Sequence, residues 1–147
     1  MLKKTPLYEE HLKLKAKMVD FHGWLLPLQY SGILAEHNAV RNAAGLFDVS
    51  HMGEIIVKGE GSEASLQRIL TNDISAMKPG RVLYSPMCYP DGGIVDDLLV
   101  YKLGEGRFLL VVNAANVERD YQWLLLHASG AEIEDVSDQY AQLALQG

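Results

Sequence analysis

The sequence predicts an α+β fold, with an antiparallel or mixed sheet and flanking helices. A turn signal at 90–93 separates two apolar runs, as is typical of a β-hairpin. Apolar residues recur at helical spacing after Ser62 and again after 113–116. Between 53 and 136 the predicted order is β-α-β-β-β-α-β, which resembles a split βαβ unit with an additional strand.

The first clear helix is predicted after a Ser31 cap and ends at Gly45. We expect the residues before this helix to be mostly irregular. Consecutive β-branched residues then predict a strand at 53–58, and Ser62 is expected to cap the short helix that follows.

The remaining elements are three strands, a helix and a final strand. The three strands are predicted at 81–89, 94–103 and 107–112. Asn113 or Asn116 is expected to cap the next helix, which ends at Gly130, and 131–136 returns as a strand.

The chain is predicted to divide into three parts, namely an N-terminal segment at 1–52, the α+β unit at 53–138 and the start of a further strand at 139–147. Its 147 residues, of which 48% are hydrophobic, suffice for a substantial core. The last eight residues are strand-like and lack a cap or polar tail, so we expect the natural domain to continue beyond them.

Composition and charge limit the possible partners. Thirteen Lys and Arg against nineteen Asp and Glu give a net charge of −6, which provides no basic field for nucleic acid or anionic lipid. No apolar run is long enough to span a membrane. The single cysteine, Cys88, fits a reducing compartment, and we predict a cytoplasmic location. The five histidines show no metal-ligand spacing, so no metal is expected.

Two adjacent carboxylates, Asp96 and Asp97, interrupt an apolar strand and must be compensated there. Because side chains alternate along a strand, the two must face opposite sides of the sheet. If the hairpin closes at 91–92, Tyr84 lies opposite Leu99.

Asp97 and Tyr101 are then the diagonal neighbours of Tyr84, and all three share one face with Leu99. A carboxylate framed by two aromatic rings suits a flat, nitrogen-containing heterocycle. Pro86 opposite Asp97 could disturb this register.

Simpler interpretations remain open. One carboxylate could face solvent while the other accepts structural hydrogen bonds. A metal site built from Asp91, Asp96 and Asp97 would lack the ligand pattern of a calcium loop. His51, at a turn before the first strand of the α+β unit, could line a site or serve as an ordinary surface histidine.

Several blocks of sequence, spread over nearly the whole chain, match one known family in the same order. They are 5–7, 16–21, 23–24, Pro27, 36–37, 39–41, 45–54 (GLFDVSHMGE), 71–73, 92–98 (GGIVDDL) and 111–116. The pattern resembles the N-terminal part of the glycine cleavage T-protein family of aminomethyltransferases. It implies the folate-binding domain of that family, truncated here, since family members are considerably longer.

The resemblance implies that an aminomethyl group on the lipoyl arm of H-protein is transferred to tetrahydrofolate, which releases ammonia in glycine degradation. Tetrahydrofolate would be the one-carbon acceptor and lipoylated H-protein the partner. Asp97 would be the key acid, polarising the region of the reacting folate nitrogen. The residues implied to surround the folate are Met52, Tyr84, Leu99, Tyr101 and Asn113.

The family's later acidic and arginine contacts have no counterpart in this chain, so we expect half a site and no activity from the chain alone. Faces left uncovered are expected to allow self-association with a second copy. Two alternatives remain: a non-catalytic folate-binding relative of the iron–sulfur assembly type, and a folate-dependent demethylase. The 50–54 block argues against the demethylase.

Overall fold

The computed structural model describes residues 1–147, which form two compact units. One unit comprises Met1–His51 with Ala141–Gly147, and the other comprises Met52–Tyr140. The elements in chain order are β1 (Lys3–Lys4), α1 (Tyr8–Lys13), β2 (Lys17–Phe21), β3 (Trp24–Gln29), α2 (Ile33–Asn42), β4 (Gly45–Asp48), β5 (Gly53–Lys58), α3 (Ser62–Ile69), β6 (Val82–Cys88), β7 (Ile94–Gly104), β8 (Arg107–Val112), α4 (Val117–His127), β9 (Glu132–Asp135) and β10 (Leu143–Gln146). None of the helices is both long and apolar enough to cross a lipid bilayer.

The first unit contains regular structure where the sequence predicted mostly irregular chain, so that prediction is wrong. β3 is the middle strand of a sheet, parallel to β1 and antiparallel to β2. A turn in which His22 and Gly23 both have positive φ joins β2 to β3. Pro27 lies in β3 beyond the two residues that pair with β1, so only β2 flanks it, and the β2 ladder has a register shift next to it. These two exceptions conceal the hairpin from sequence reasoning.

The predicted Ser31 cap of α2 is also wrong. The cap residue is Gly32, whose φ of 136° is readily adopted only by glycine. The Glu36 carboxylate folds back instead and accepts hydrogen bonds from the backbone N–H groups of Tyr30 (2.7 Å) and Gly32 (2.8 Å). Those bonds hold the pKa of Glu36 below its usual value. The carboxylate of Glu36 therefore reaches back to the cap residue as a glutamate does in a capping box, but from one position later in the helix.

The second unit is built on a five-stranded sheet in the order β6-β7-β8-β5-β9, with every neighbouring pair antiparallel. The strands β8 and β9 are parallel and enclose β5 between them, and α4 connects them as a split βαβ unit. The predicted α+β class and the order β-α-β-β-β-α-β are confirmed.

The core of this unit is an apolar layer formed by α3, α4 and one face of the sheet. Its fully buried members include Ile55, Val57, Leu66, Ile74, Met87, Val100, Phe108, Leu110, Val112 and Leu124. The start of α4 approaches β5 closely, since a Cβ on Gly53 would lie 2.5 Å from a methyl carbon of Val117. Only glycine allows this contact, which brings the chain after β8 close to the end of the sheet.

The predicted hairpin register is confirmed, although the turn differs from the one assumed. Tyr84 lies opposite Leu99, as expected. The turn closes earlier, with the backbone N–H of Tyr89 donating to the carbonyl of Gly93 at 2.7 Å. A register shift next to Cys88 then restores the predicted pairing along the rest of the hairpin.

Candidate functional site

The adjacent carboxylates of β7 occupy opposite faces of the sheet. Asp97 is exposed on the face away from the core, together with half-buried Leu99. Asp96 is 6% exposed and shares the inner face with buried Leu98 and Val100. The expectation that the two aspartates differ in their surroundings is confirmed, because strand alternation alone decides it.

The exposed carboxylate of Asp97 is held by two side chains. The Tyr84 hydroxyl donates to Oδ2 at 2.8 Å, and the Asn113 amide donates to Oδ1 at 3.0 Å. The bond to Asp97 is the main reason why the pKa of Tyr84 is raised. Each carboxylate oxygen can accept a further hydrogen bond. Asp97 is therefore fixed in orientation and still available to a ligand.

Apolar and aromatic surface lies beside this carboxylate. Leu99 pairs with Tyr84 on one side and with Val111 on the other. Tyr101 follows Leu99 by two residues and therefore lies on the same face of β7. It is half-buried and is not a hydrogen-bond partner of Asp97. Tyr84, Asp97, Leu99 and Tyr101 therefore share one sheet face, with a single carboxylate among larger side chains.

The last two predicted positions, Met52 and Asn113, lie at one end of the sheet. Met52 immediately precedes Gly53, which pairs with Val112, and Asn113 immediately follows Val112. The chain thus brings both residues to adjacent strand ends. Of these two residues, Asn113 forms a hydrogen bond with Asp97 and Met52 does not.

Beneath the exposed carboxylate lies a second polar layer that the sequence analysis missed. Asn113 also donates to Asp96 Oδ1 at 2.9 Å, so one amide bridges both carboxylates. Burial acts to raise the pKa of Asp96, but hydrogen bonds with Asp120, Asn113 and Asn116 outweigh it and lower the pKa. The available signal was a polar residue, Asp120, on the apolar face of the predicted helix.

The first unit holds a separate buried polar cluster around Asp48. The Asp48 carboxylate accepts from the Thr5 hydroxyl (2.6 Å) and the Ser50 backbone N–H (3.0 Å), and it contacts His11 Nε2 at 2.8 Å. The other ring nitrogen of His11 lies 2.9 Å from the Tyr30 hydroxyl. These bonds satisfy the buried groups and tie α1 to β4, which is a structural role.

His51 packs with its ring edge against Phe21, at 5.7 Å between ring centroids. Its Nδ1 is buried without a hydrogen-bond partner, and burial lowers its pKa. This environment favours a neutral, packed imidazole. No three His, Cys, Asp or Glu side chains converge in an arrangement that could hold a metal ion.

An antiparallel sheet carrying a split βαβ unit, with an accessible aspartate on its open face, defines an α+β domain with a candidate ligand site on its sheet. The crystal structure of glycine cleavage system aminomethyltransferase T from Bartonella henselae superposes with a TM-score of 0.93 at 41% identity, over 100% of this chain and 41% of that one. Residues 7–147 match the family described as GCVT N-terminal domain, and the chain belongs to that family.

Two curated relatives are named aminomethyltransferase. The protein from Moorella thermoacetica is 61% identical over 148 residues, which is 99% of this chain and 40% of the relative. The protein from Bacillus subtilis is 57% identical over 100% of this chain and 41% of the relative. The chain thus spans about 40% of the length of these relatives and matches their aminomethyltransferase family, as the sequence predicted.

Proposed function

We propose that this chain forms the folate-facing N-terminal part of an aminomethyltransferase in glycine degradation. That enzyme transfers the aminomethyl carbon from lipoylated H-protein to tetrahydrofolate and releases ammonia. Family membership supports the reaction class. The observation that carries the proposal is the exposed Asp97 carboxylate, which Tyr84 and Asn113 hold in one orientation.

The site's chemistry fits a pterin. A pterin is flat and presents N–H donors along its edge, and Asp97 retains unused acceptor capacity on both oxygens. Tyr84 and Tyr101 supply aromatic surface on the same sheet face, and Leu99 between them supplies an apolar surface. A hydrogen bond to a charged group typically contributes about 1.5–3 kcal/mol, which is enough to orient the ring.

Asp97 is proposed to accept a hydrogen bond from the folate and to polarise the region of its reacting nitrogen while ammonia leaves. Because Tyr84 and Asn113 hold the carboxylate before any ligand arrives, the site needs little reorganisation. Met52, at the adjoining strand end, is proposed to line the same pocket. A cytoplasmic location is part of this proposal and is supported by the single cysteine.

The alternatives, an iron–sulfur assembly relative and a folate-dependent demethylase, would use a similar folate pocket. No observation favours either, whereas relatives at 57–61% identity are named aminomethyltransferase. The chain spans about 40% of those relatives, so we expect it to bind folate without turnover.

The test is a calorimetric titration of tetrahydrofolate into the 147-residue chain. We expect saturable binding that Asp97→Asn weakens by roughly tenfold, the equivalent of one charge-assisted hydrogen bond. Asp138→Asn, an exposed aspartate of the same unit, is the matched control and should bind like the wild type. Equal affinities for wild type and Asp97→Asn would refute the role of Asp97. No binding by folded chain would refute a preformed folate site.

A further inference from the structure

A pair of buried carboxyl groups lies directly beneath the proposed folate site. Asp120, on the inner face of α4, is 0% exposed, and Asp96 of β7 is 6% exposed. Both Asp120 oxygens and Asp96 Oδ2 are buried without a conventional donor. The two carboxyl groups lie within hydrogen-bonding reach of each other.

Two carboxylates in contact and out of water cannot both carry charge, so one of them must hold a proton. Asp96 has the donors that stabilise a negative charge, namely Asn113 at 2.9 Å and nearby Asn116. Asp120 has no donor within hydrogen-bond distance, and its nearest cation is Arg119, with Nε 3.7 Å away. A proton on Asp120 can therefore be donated to the Asp96 carboxylate, and it removes the buried charge from Asp120.

The charged surroundings of Asp120 agree with this assignment. The pKa of Asp120 is raised to about 8, mainly by burial and next by the neighbouring Asp96. Arg119 opposes this shift, with Nε 3.7 Å from Asp120 Oδ1. That guanidinium is half exposed, and its Nη2 donates to the carbonyl of Val95 at 2.6 Å. Its charge is therefore shared with solvent and backbone, and it does not suffice to ionise Asp120.

The pair is connected to the exposed carboxylate through one amide. The two amide hydrogens of Asn113 are divided between Asp96 Oδ1 at 2.9 Å and Asp97 Oδ1 at 3.0 Å, with the Asp97 carbonyl at 3.1 Å. The position of the amide therefore depends on where Asp96 lies. A shift of Asp96 would let the amide rotate and would deprive Asp97 of one of its two donors.

We propose that Asp120 is a positioning residue for this site: its protonated carboxyl donates to Asp96, and Asp96 in turn holds the Asn113 amide against Asp97. The consequence for folate affinity rests on the proposed function. The hydrogen-bond chain itself does not, and can be measured without folate.

The experiment compares Asp120→Asn, which retains a donor, with Asp120→Leu, which has a similar size and no donor. Two readouts use the 147-residue chain without ligand. Isotope-edited infrared difference spectra, Asp120→Asn against wild type, should show a protonated carboxyl at pH 7 that the variant lacks. The Asn113 side-chain amide resonances should move in Asp120→Leu and stay near the wild-type positions in Asp120→Asn.

Raising the pH through about 8 should also move the Asn113 resonances of the wild type, as Asp120 ionises, but not those of Asp120→Asn. With tetrahydrofolate, Asp120→Leu should bind about tenfold more weakly, while Asp120→Asn stays near the wild-type affinity.

The proposal is overturned if the infrared difference shows no protonated carboxyl at pH 7, or if Asn113 is unmoved in folded Asp120→Leu. It also fails if Asp120→Asn displaces Asn113 as much as Asp120→Leu does. If Asp120→Leu does not fold, the infrared band and the pH titration of Asn113 decide. If the spectra behave as expected but folate does not bind, the positioning chain stands and the proposed function fails.

Discussion

Glu54 on β5 allows a quantitative prediction, because it is a buried acid with too few partners. The residue is 2% exposed, and its Oε2 has no hydrogen-bond donor. Burial, with a smaller contribution from the negative charge of Asp135, raises the pKa of Glu54 from 4.5 to about 7. The folded chain therefore holds this proton more tightly than the unfolded chain does.

The sign of the pH dependence follows from this difference. Below about pH 4.5 both states are protonated, and the group makes no difference to the free energy of unfolding. Between 4.5 and about 7 the unfolded chain releases the proton first, so stability falls as the pH rises. Above about pH 7 the free energy of unfolding falls no further. At roughly 1.4 kcal/mol per pH unit, the total loss of stability amounts to about 3 kcal/mol.

The perturbation is Glu54→Gln, which has nearly the same shape and no charge. We expect the free energies of unfolding of variant and wild type to converge near pH 4 and the variant to be more stable by up to about 3 kcal/mol at pH 8. Urea unfolding, followed by circular dichroism at four or five pH values, measures the gap. Glu60→Gln, at an exposed position just after β5, is the control and should show no such trend. A gap that is independent of pH, or a variant less stable at pH 8, would refute the reasoning.

Two further predictions concern stability. Asp48→Asn should lower the free energy of unfolding by about 2–4 kcal/mol at neutral pH, because Thr5 and His11 lose a charged acceptor in a buried cluster. Burial opposes the charge of Asp48, but its hydrogen bonds hold its pKa below the usual value, so acidification should narrow the gap; an undiminished gap at low pH would contradict this. Leu66→Ala should cost about 2–5 kcal/mol in thermal or urea unfolding because the side chain is fully buried. Leu126→Ala, at 77% exposure, should cost little, and equal losses in the two variants would contradict the packing argument.

The sequence by itself determined the features that depend on local geometry. Alternation along β7 decided that Asp96 and Asp97 face opposite sides of the sheet, since successive side chains of a strand must do so. Which of the two is buried was decided by the side of the sheet on which the helices pack. Turn residues between two apolar runs predicted that Tyr84 lies opposite Leu99, and the pairing is correct because the register shift next to Cys88 offsets a turn that closes one residue earlier than assumed. The alternation and the predicted pairing need only the few residues on either side.

The tertiary structure decided what depends on side chains far apart in the sequence. Asp96 and Asp120 are separated by the whole of β8, and only the packing of α4 against the sheet brings their carboxyl groups together. Asn113, predicted as a pocket residue, bridges two carboxylates only because β8 ends beside Asp97. Burial likewise decides which of the two carboxyl groups beneath the site holds a proton, and burial is a property of the assembled fold and of no short segment of the chain.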